Sequence, residues 1–216
     1  MFDPTALALR EQFATEEQQH ETTTFGMWLF LATEVLFFGA LFTAFSVYRM
    51  HYPHAFTVGS EGMNLLLGAT NTAVLITSSL TMAMSIHSIA LGKQGRAAVY
   101  LIATIVIGSV FLGIKFLEYY QHYMEQKAPG LNFVSTDPAG RQIELFYVFY
   151  FVMTGLHAVH MIIGIGILAI LVMRIFGGSF TAAYHTPIEA TGLYWHFVDI
   201  VWVFLYAIFY LPGVHK

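Results

Sequence analysis

Cysteine is absent from this 216-residue chain. That excludes disulfides, thiolate nucleophiles and thiolate metal sites, and it leaves the redox compartment open. Charge is scarce as well. Asp, Glu, Lys and Arg make up 10% of the residues, against about 25% in an ordinary soluble domain, so most of the surface does not face water. The formal net charge of −4 offers no basic field for a nucleic-acid partner. No cleavable leader is expected. Asp3, Glu11, Glu16, Glu17 and Glu21 stand against one Arg10 before the first apolar run, whereas a signal peptide needs a basic start followed at once by a short apolar core. The first apolar run is therefore expected to remain as a membrane span.

What the chain does have is apolar length. It is 57% hydrophobic with a mean hydropathy of +0.65. A helix crosses the hydrocarbon core in about 20 residues, and five stretches qualify: 24–48, 65–90, 97–123, 144–173 and 191–211. Turn-forming residues separate them: Pro53 and Gly59, then Gly92 and Gly95, then Pro129, Gly130, Pro138 and Gly140, then Gly177, Gly178 and Pro187. The reading is an all-α integral membrane bundle of five transmembrane helices over 24–216, preceded by a polar segment at 1–23. Orientation is nearly balanced. Arg10, Lys93, Arg96 and Arg174 fall on one side, and Arg49, Lys127, Arg141 and Lys216 on the other. The compact Gly92–Arg96 turn tips the positive-inside rule toward an inside N-terminus.

Polar side chains inside a bilayer need a partner or a purpose. Glu34 lies near the middle of the first span, where a carboxyl needs either a proton of its own or a donor on a neighbouring helix. It reads equally as a proton-accessible acid and as a hydrogen-bonded packing residue. Asn71, Ser78, Thr81 and Ser85 form a stripe of small polar groups suited to a helix–helix seam, which His87 is expected to join. Lys115, Glu118, Tyr119 and His122 share one face, read as an ion pair near the interface with a snorkelling lysine. On the fourth span Tyr147, Tyr150, Thr154, His157 and His160 line one side. His157 and His160 have the spacing of a metal-ligand pair, but a single pair is a weak signal. On the fifth, His196 and Asp199 are one turn apart, and Trp195, Asp199, Trp202, Tyr206 and Tyr210 mark a packing face. These residues alone leave open an accessory subunit, an assembly factor, a small transporter centred on Glu34, and a metalloenzyme using His87, His157, His160 and His196.

Three segments carry a resemblance. Tyr194-Trp-His-Phe-Val-Asp-Ile-Val-Trp-Val-Phe-Leu-Tyr206, Thr154-Gly-Leu-His157-Ala-Val-His160-Met-Ile-Ile-Gly164 and Thr33-Glu34-Val-Leu-Phe-Phe38 are similar to the signature of subunit III of the haem–copper terminal oxidases. Asn71-Thr-Ala-Val-Leu75 and Ser85-Ile-His-Ser88 extend the likeness, in order, across the chain from residue 24. The resemblance implies an accessory subunit of a proton-pumping cytochrome c oxidase in the aerobic respiratory chain, with no catalytic or metal site of its own. Haem and copper would sit in subunits I and II. This chain would pack on subunit I, hold phospholipid and support proton uptake. Glu34 matches the family's buried glutamate, and His157 and His160 its paired histidines. Arg174 stands where an arginine engages lipid phosphate, and His87, Trp195, His196 and Asp199 are expected to be lipid-binding or structural. A quinol oxidase subunit or a nitric oxide reductase accessory subunit fits the same resemblance. The mitochondrial form has seven helices and this chain starts at the third, as bacterial five-helix forms do, so a partner would supply the missing wall of the lipid cleft. The expected location is a bacterial inner membrane, with the N-terminus cytoplasmic and the C-terminus outside.

Overall fold

The computed structural model describes residues 15–178, 180 and 184–214. Asp3, Arg10, Glu11 and Lys216, which enter the charge balance above, lie outside them. Six α-helices follow in order: α1 (Glu16–His51), α2 (Pro53–Glu61), α3 (Leu65–Ala90), α4 (Gln94–Met124), α5 (Gly140–Phe176) and α6 (Thr186–Tyr210), with a closing 3₁₀ turn at Pro212–Val214. Five of them (α1, α3, α4, α5 and α6) are long and apolar enough to cross a membrane. The protein is a multi-pass membrane bundle.

The helix ends follow from local chemistry. Thr15 accepts a hydrogen bond from the Gln18 N–H at 3.1 Å and caps α1. Asn64 does the same for α3 through the Leu67 N–H. Gly92 and Gly178 adopt positive φ just beyond the ends of α3 and α5, where a left-handed residue closes a helix at least cost for glycine. Four spans start or end beyond the apolar stretches read from the sequence. α1 begins at Glu16 rather than 24, and α5 runs 140–176 rather than 144–173. Hydropathy registers only the lipid-facing part of a helix, and hydrogen bonding continues past it into the polar zone.

The first connection is a correction. Instead of a simple turn at Pro53–Gly59, it contains α2. Pro53 forces Tyr52 out of helical geometry and ends α1, then serves as the first residue of the next helix. Phe56 of α2 packs edge-on against Phe45 of α1 and Phe146 of α5. The Ser60 hydroxyl donates to the Phe209 carbonyl at 2.8 Å. Thus α2 closes one end of the bundle.

Within the membrane, α3, α4, α5 and α6 form a ring in which each packs on the next and α6 returns to α3. The stripe read from α3 is this ring's polar seam. Thr81 and Thr104 share a hydrogen bond at 2.8 Å, and Ser85 donates to the Ala97 carbonyl at 2.9 Å. α1 packs outside the ring, mainly along α6.

Candidate functional site

Two polar constellations lie inside the bundle. The first joins α4, α5 and α6. Lys115 Nζ donates to Glu118 Oε2 at 2.8 Å, to the Tyr150 hydroxyl at 2.9 Å and to the Tyr210 hydroxyl at 3.2 Å. Tyr210 donates in turn to Glu118 Oε1 at 2.6 Å. All three ammonium protons and both carboxylate oxygens are therefore engaged. The ammonium also lies 5.0 Å from the centre of the Trp202 ring, within cation–π range. Lys115 and Glu118 are each 2% exposed, so the lysine does not snorkel as the sequence led us to expect. It turns inward, where Glu118, Tyr150 and Tyr210 satisfy all of its donors. Beside this cluster, Tyr119 bonds Thr154 at 2.6 Å. His157 packs between the Phe111 and Trp202 rings. With every donor and acceptor of the ion pair matched within the chain, the cluster is a structural tie among three helices.

The second constellation holds the acid singled out in the first span. Glu34 Oε2 lies 3.1 Å from His160 Nε2, joining α1 to α5. His160 Nδ1 is 2.8 Å from the Leu156 carbonyl, and since a carbonyl only accepts, that nitrogen carries a hydrogen. One proton therefore lies between Nε2 and the carboxyl, borne by one partner or the other. Tyr194 braces the same turn by donating to the His160 carbonyl at 2.9 Å. The pair lines a cavity of about 430 Å³ whose walls include Met27, Phe30, Ile163, Thr191 and Tyr194. A carboxyl–imidazole pair at the wall of a cavity is an arrangement the closed Lys115 cluster lacks.

The remaining candidates are dispersed. His157 and His160, neighbours on one helix, serve different surroundings, the ring interior and α1. His87 lies on the exposed side of the last turn of α3, away from the seam. Arg174, in the last turn of α5, places its guanidinium 5.2 Å from the Phe180 ring centre. Trp195 is fully buried and donates its Nε1 hydrogen to Ser78 Oγ at 3.1 Å. His196 Nδ1 bonds Ser79 Oγ at 2.6 Å, and Asp199 lines the same groove between α3 and α6. The sequence placed Tyr150 on one side of the fourth span and Tyr210 on a packing face, without their bonds to the ion pair. The signal was present in three polar faces, on α4, α5 and α6, each needing a partner.

With this geometry in hand, the chain was compared with known proteins. It matches the family model described as cytochrome c oxidase subunit III over residues 12–214. The cytochrome c oxidase subunit 3 of Arabidopsis thaliana is 34% identical over 197 residues, which cover 88% of this chain and 68% of that one. The subunit of the same name from Cyprinus carpio is 36% identical over 199 residues, 88% of this chain and 69% of the other. The cytochrome bo(3) ubiquinol oxidase subunit 3 of Pseudomonas aeruginosa is 28% identical over 191 residues, covering 88% and 85% respectively.

Proposed function

Because this chain belongs to the cytochrome c oxidase subunit III family, and so is an accessory membrane subunit of a haem–copper oxidase, we propose that it sustains proton uptake by that enzyme through the Glu34–His160 pair. In this reading it carries no redox centre. Haem and copper reside in subunits I and II, this chain packs on subunit I, and the whole complex is both oxidoreductase and proton translocase. It lies in a bacterial inner membrane with its N-terminus cytoplasmic. The observation that supports the role of Glu34 is the contact of its carboxyl with His160 Nε2, at 3.1 Å, at the wall of a cavity.

The test is Glu34→Gln in the complex purified through a tag on this chain. Glutamine keeps the hydrogen bond but cannot release the proton. Subunit stoichiometry is expected to stay intact while oxygen turnover decays several-fold faster than in the wild type. Unchanged turnover and unchanged durability would leave Glu34 as a packing residue only.

The second proposal concerns lipid. Arg174 stands at the membrane edge of α5, and no described acidic residue forms an ion pair with it. A guanidinium suits bidentate phosphate binding. Arg174→Ala is expected to lower the anionic phospholipid retained by the purified complex, measured by mass spectrometry, with Arg174→Lys retaining part of it. An unchanged lipid complement would remove the assignment.

The electron donor is read as cytochrome c. A quinol donor is favoured by one observation, the 85% coverage of the bo(3) subunit. The spectrum of the purified complex separates the two, because a copper-bearing subunit II marks a cytochrome c oxidase.

A further inference from the structure

The cavity of about 430 Å³ beside Glu34 and His160 has a neighbour. A second one, of about 220 Å³, lies nearer the start of α1, between His20 and Thr24 on that helix and Thr186 and Glu189 on α6. Met27 belongs to the walls of both. His20, Thr24, Met27 and Glu34 follow one another along α1 at steps of four, three and seven residues, so they share one face. His20 lies about 21 Å from Glu34 along the helix, at 1.5 Å per residue, with Met27 half-way. His20 is exposed and stands among Glu17, Gln18 and Glu21, ahead of the apolar stretch. The outer cavity is therefore at the polar end of α1.

The two approaches to the Glu34–His160 pair differ in kind. Toward the C-terminal end of α1 rings close it off. Phe38 is buried and packs 5.3 Å from the His160 ring and 6.4 Å from Phe197, and Phe42 and Phe45 continue the seal against Phe204 and Phe209. Toward the N-terminal end the walls carry polar groups. In the inner cavity the Thr191 hydroxyl donates to the Pro187 carbonyl at 2.8 Å and the Tyr194 hydroxyl to the His160 carbonyl at 2.9 Å, so both oxygens can still accept. In the outer one His20 Nδ1 bonds Thr186 Oγ1 at 3.1 Å, and Glu189 Oε1 lies 3.3 Å from His185 Nε2. A water takes about 30 Å³ and two to four polar partners; both cavities offer the room and the partners. Ionisable groups at membrane depth characteristically face such water. Between the cavities stands Met27, half-buried against the core, whose flexible thioether chain is able to swing without moving either helix.

We propose that the seam between α1 and α6 is a water path through which the Glu34–His160 pair exchanges protons with the aqueous face at the α1 N-terminus, and that Met27 is its gate. This rests on the reading of Glu34 given above and adds the side from which the pair is reached and the residue that controls access. Protons enter from water at His20 and Glu189, pass Met27 and reach the pair. Phe38 stops them there, so the path serves Glu34 without leaking across the bundle.

The test uses the intact complex in membrane vesicles of known sidedness. The chain has no cysteine, so Thr191→Cys puts a single thiol in the inner cavity and Thr24→Cys a single thiol in the outer one. A small charged thiosulfonate reagent reports water at each, read from the mass of this subunit. Added on the side of the α1 N-terminus, it is expected to label both thiols; added on the other side, neither. Met27→Trp should slow labelling of the Thr191→Cys thiol tenfold or more and Met27→Ala should speed it, with the Thr24→Cys thiol unaffected. Met27→Trp should also bring on the faster decay of turnover expected of Glu34→Gln. No charged labelling of either thiol, labelling from the far side, labelling at Thr191→Cys that ignores residue 27, or wild-type durability in Met27→Trp would overturn the path and leave the reading of Glu34 standing. Gated labelling in a complex whose turnover Glu34→Gln leaves unchanged would overturn the role of Glu34, and the proton exchange with it.

Discussion

Lys115→Ala is expected to destabilise the bundle by about 3–5 kcal/mol, the usual cost of removing one partner from a buried ion pair. The size follows from what stays behind. Glu118 is 2% exposed and would keep only the Tyr210 hydroxyl, at 2.6 Å, as a donor for a carboxylate in a medium that cannot hydrate it. The Tyr150 hydroxyl would lose its ammonium partner as well. The pair itself need not stabilise the fold, since well-packed neutral residues often do as well. The double variant Lys115→Met/Glu118→Gln is therefore expected to recover most of the loss, giving a coupling energy of at least about 2 kcal/mol, within the range for contacting residues. Thermal unfolding of the purified complex, read with the two single variants, measures that coupling. A Lys115→Ala variant within about 1 kcal/mol of wild type would show that the cluster does not tie α4 to α5 and α6.

Lys115 also shows where sequence reading stops. Spacing placed Lys115, Glu118, Tyr119 and His122 on one face of a helix, but a face has no direction until its neighbours are known. The choice between snorkelling and turning inward depended on Tyr150 and Tyr210, 35 and 95 residues away. The Glu34–His160 pair is of the same kind. Each residue was visible as a polar intruder in an apolar run, and the resemblance named both, yet the contact spans 126 residues. The five spans were legible because apolar length is a local property. α2 was not, because a nine-residue helix that opens with proline has the composition of a turn. Its stability comes from Phe56 and Ser60 meeting the ends of α1, α5 and α6, contacts that no window of sequence contains. The seam on α3 was legible for the opposite reason: small polar residues at helical spacing in a membrane have few uses other than close packing.

Trp195→Ala is expected to cost at least about 2 kcal/mol, below the 3–5 kcal/mol of soluble cores because lipid already solvates apolar groups. The indole is fully buried and meets three helices at once. Its Nε1 hydrogen bonds Ser78 on α3. A Cβ added at Gly108 on α4 would come within 2.9 Å of its ring, and one at Gly164 on α5 within 3.0 Å. The two glycines thus form a slot that only a bare backbone leaves open, and the tryptophan of α6 fills it. Because slot and filler are complementary, their variants should not add. Gly108→Ala should destabilise the wild type by pressing on the indole and do little in a Trp195→Ala background, where the space is already free. A coupling of about 1 kcal/mol or more, from thermal unfolding of the four proteins, is the expected result, and strict additivity would sink the slot. Trp195→Phe, which keeps a ring in the slot and gives up only the bond to Ser78, should cost much less than Trp195→Ala.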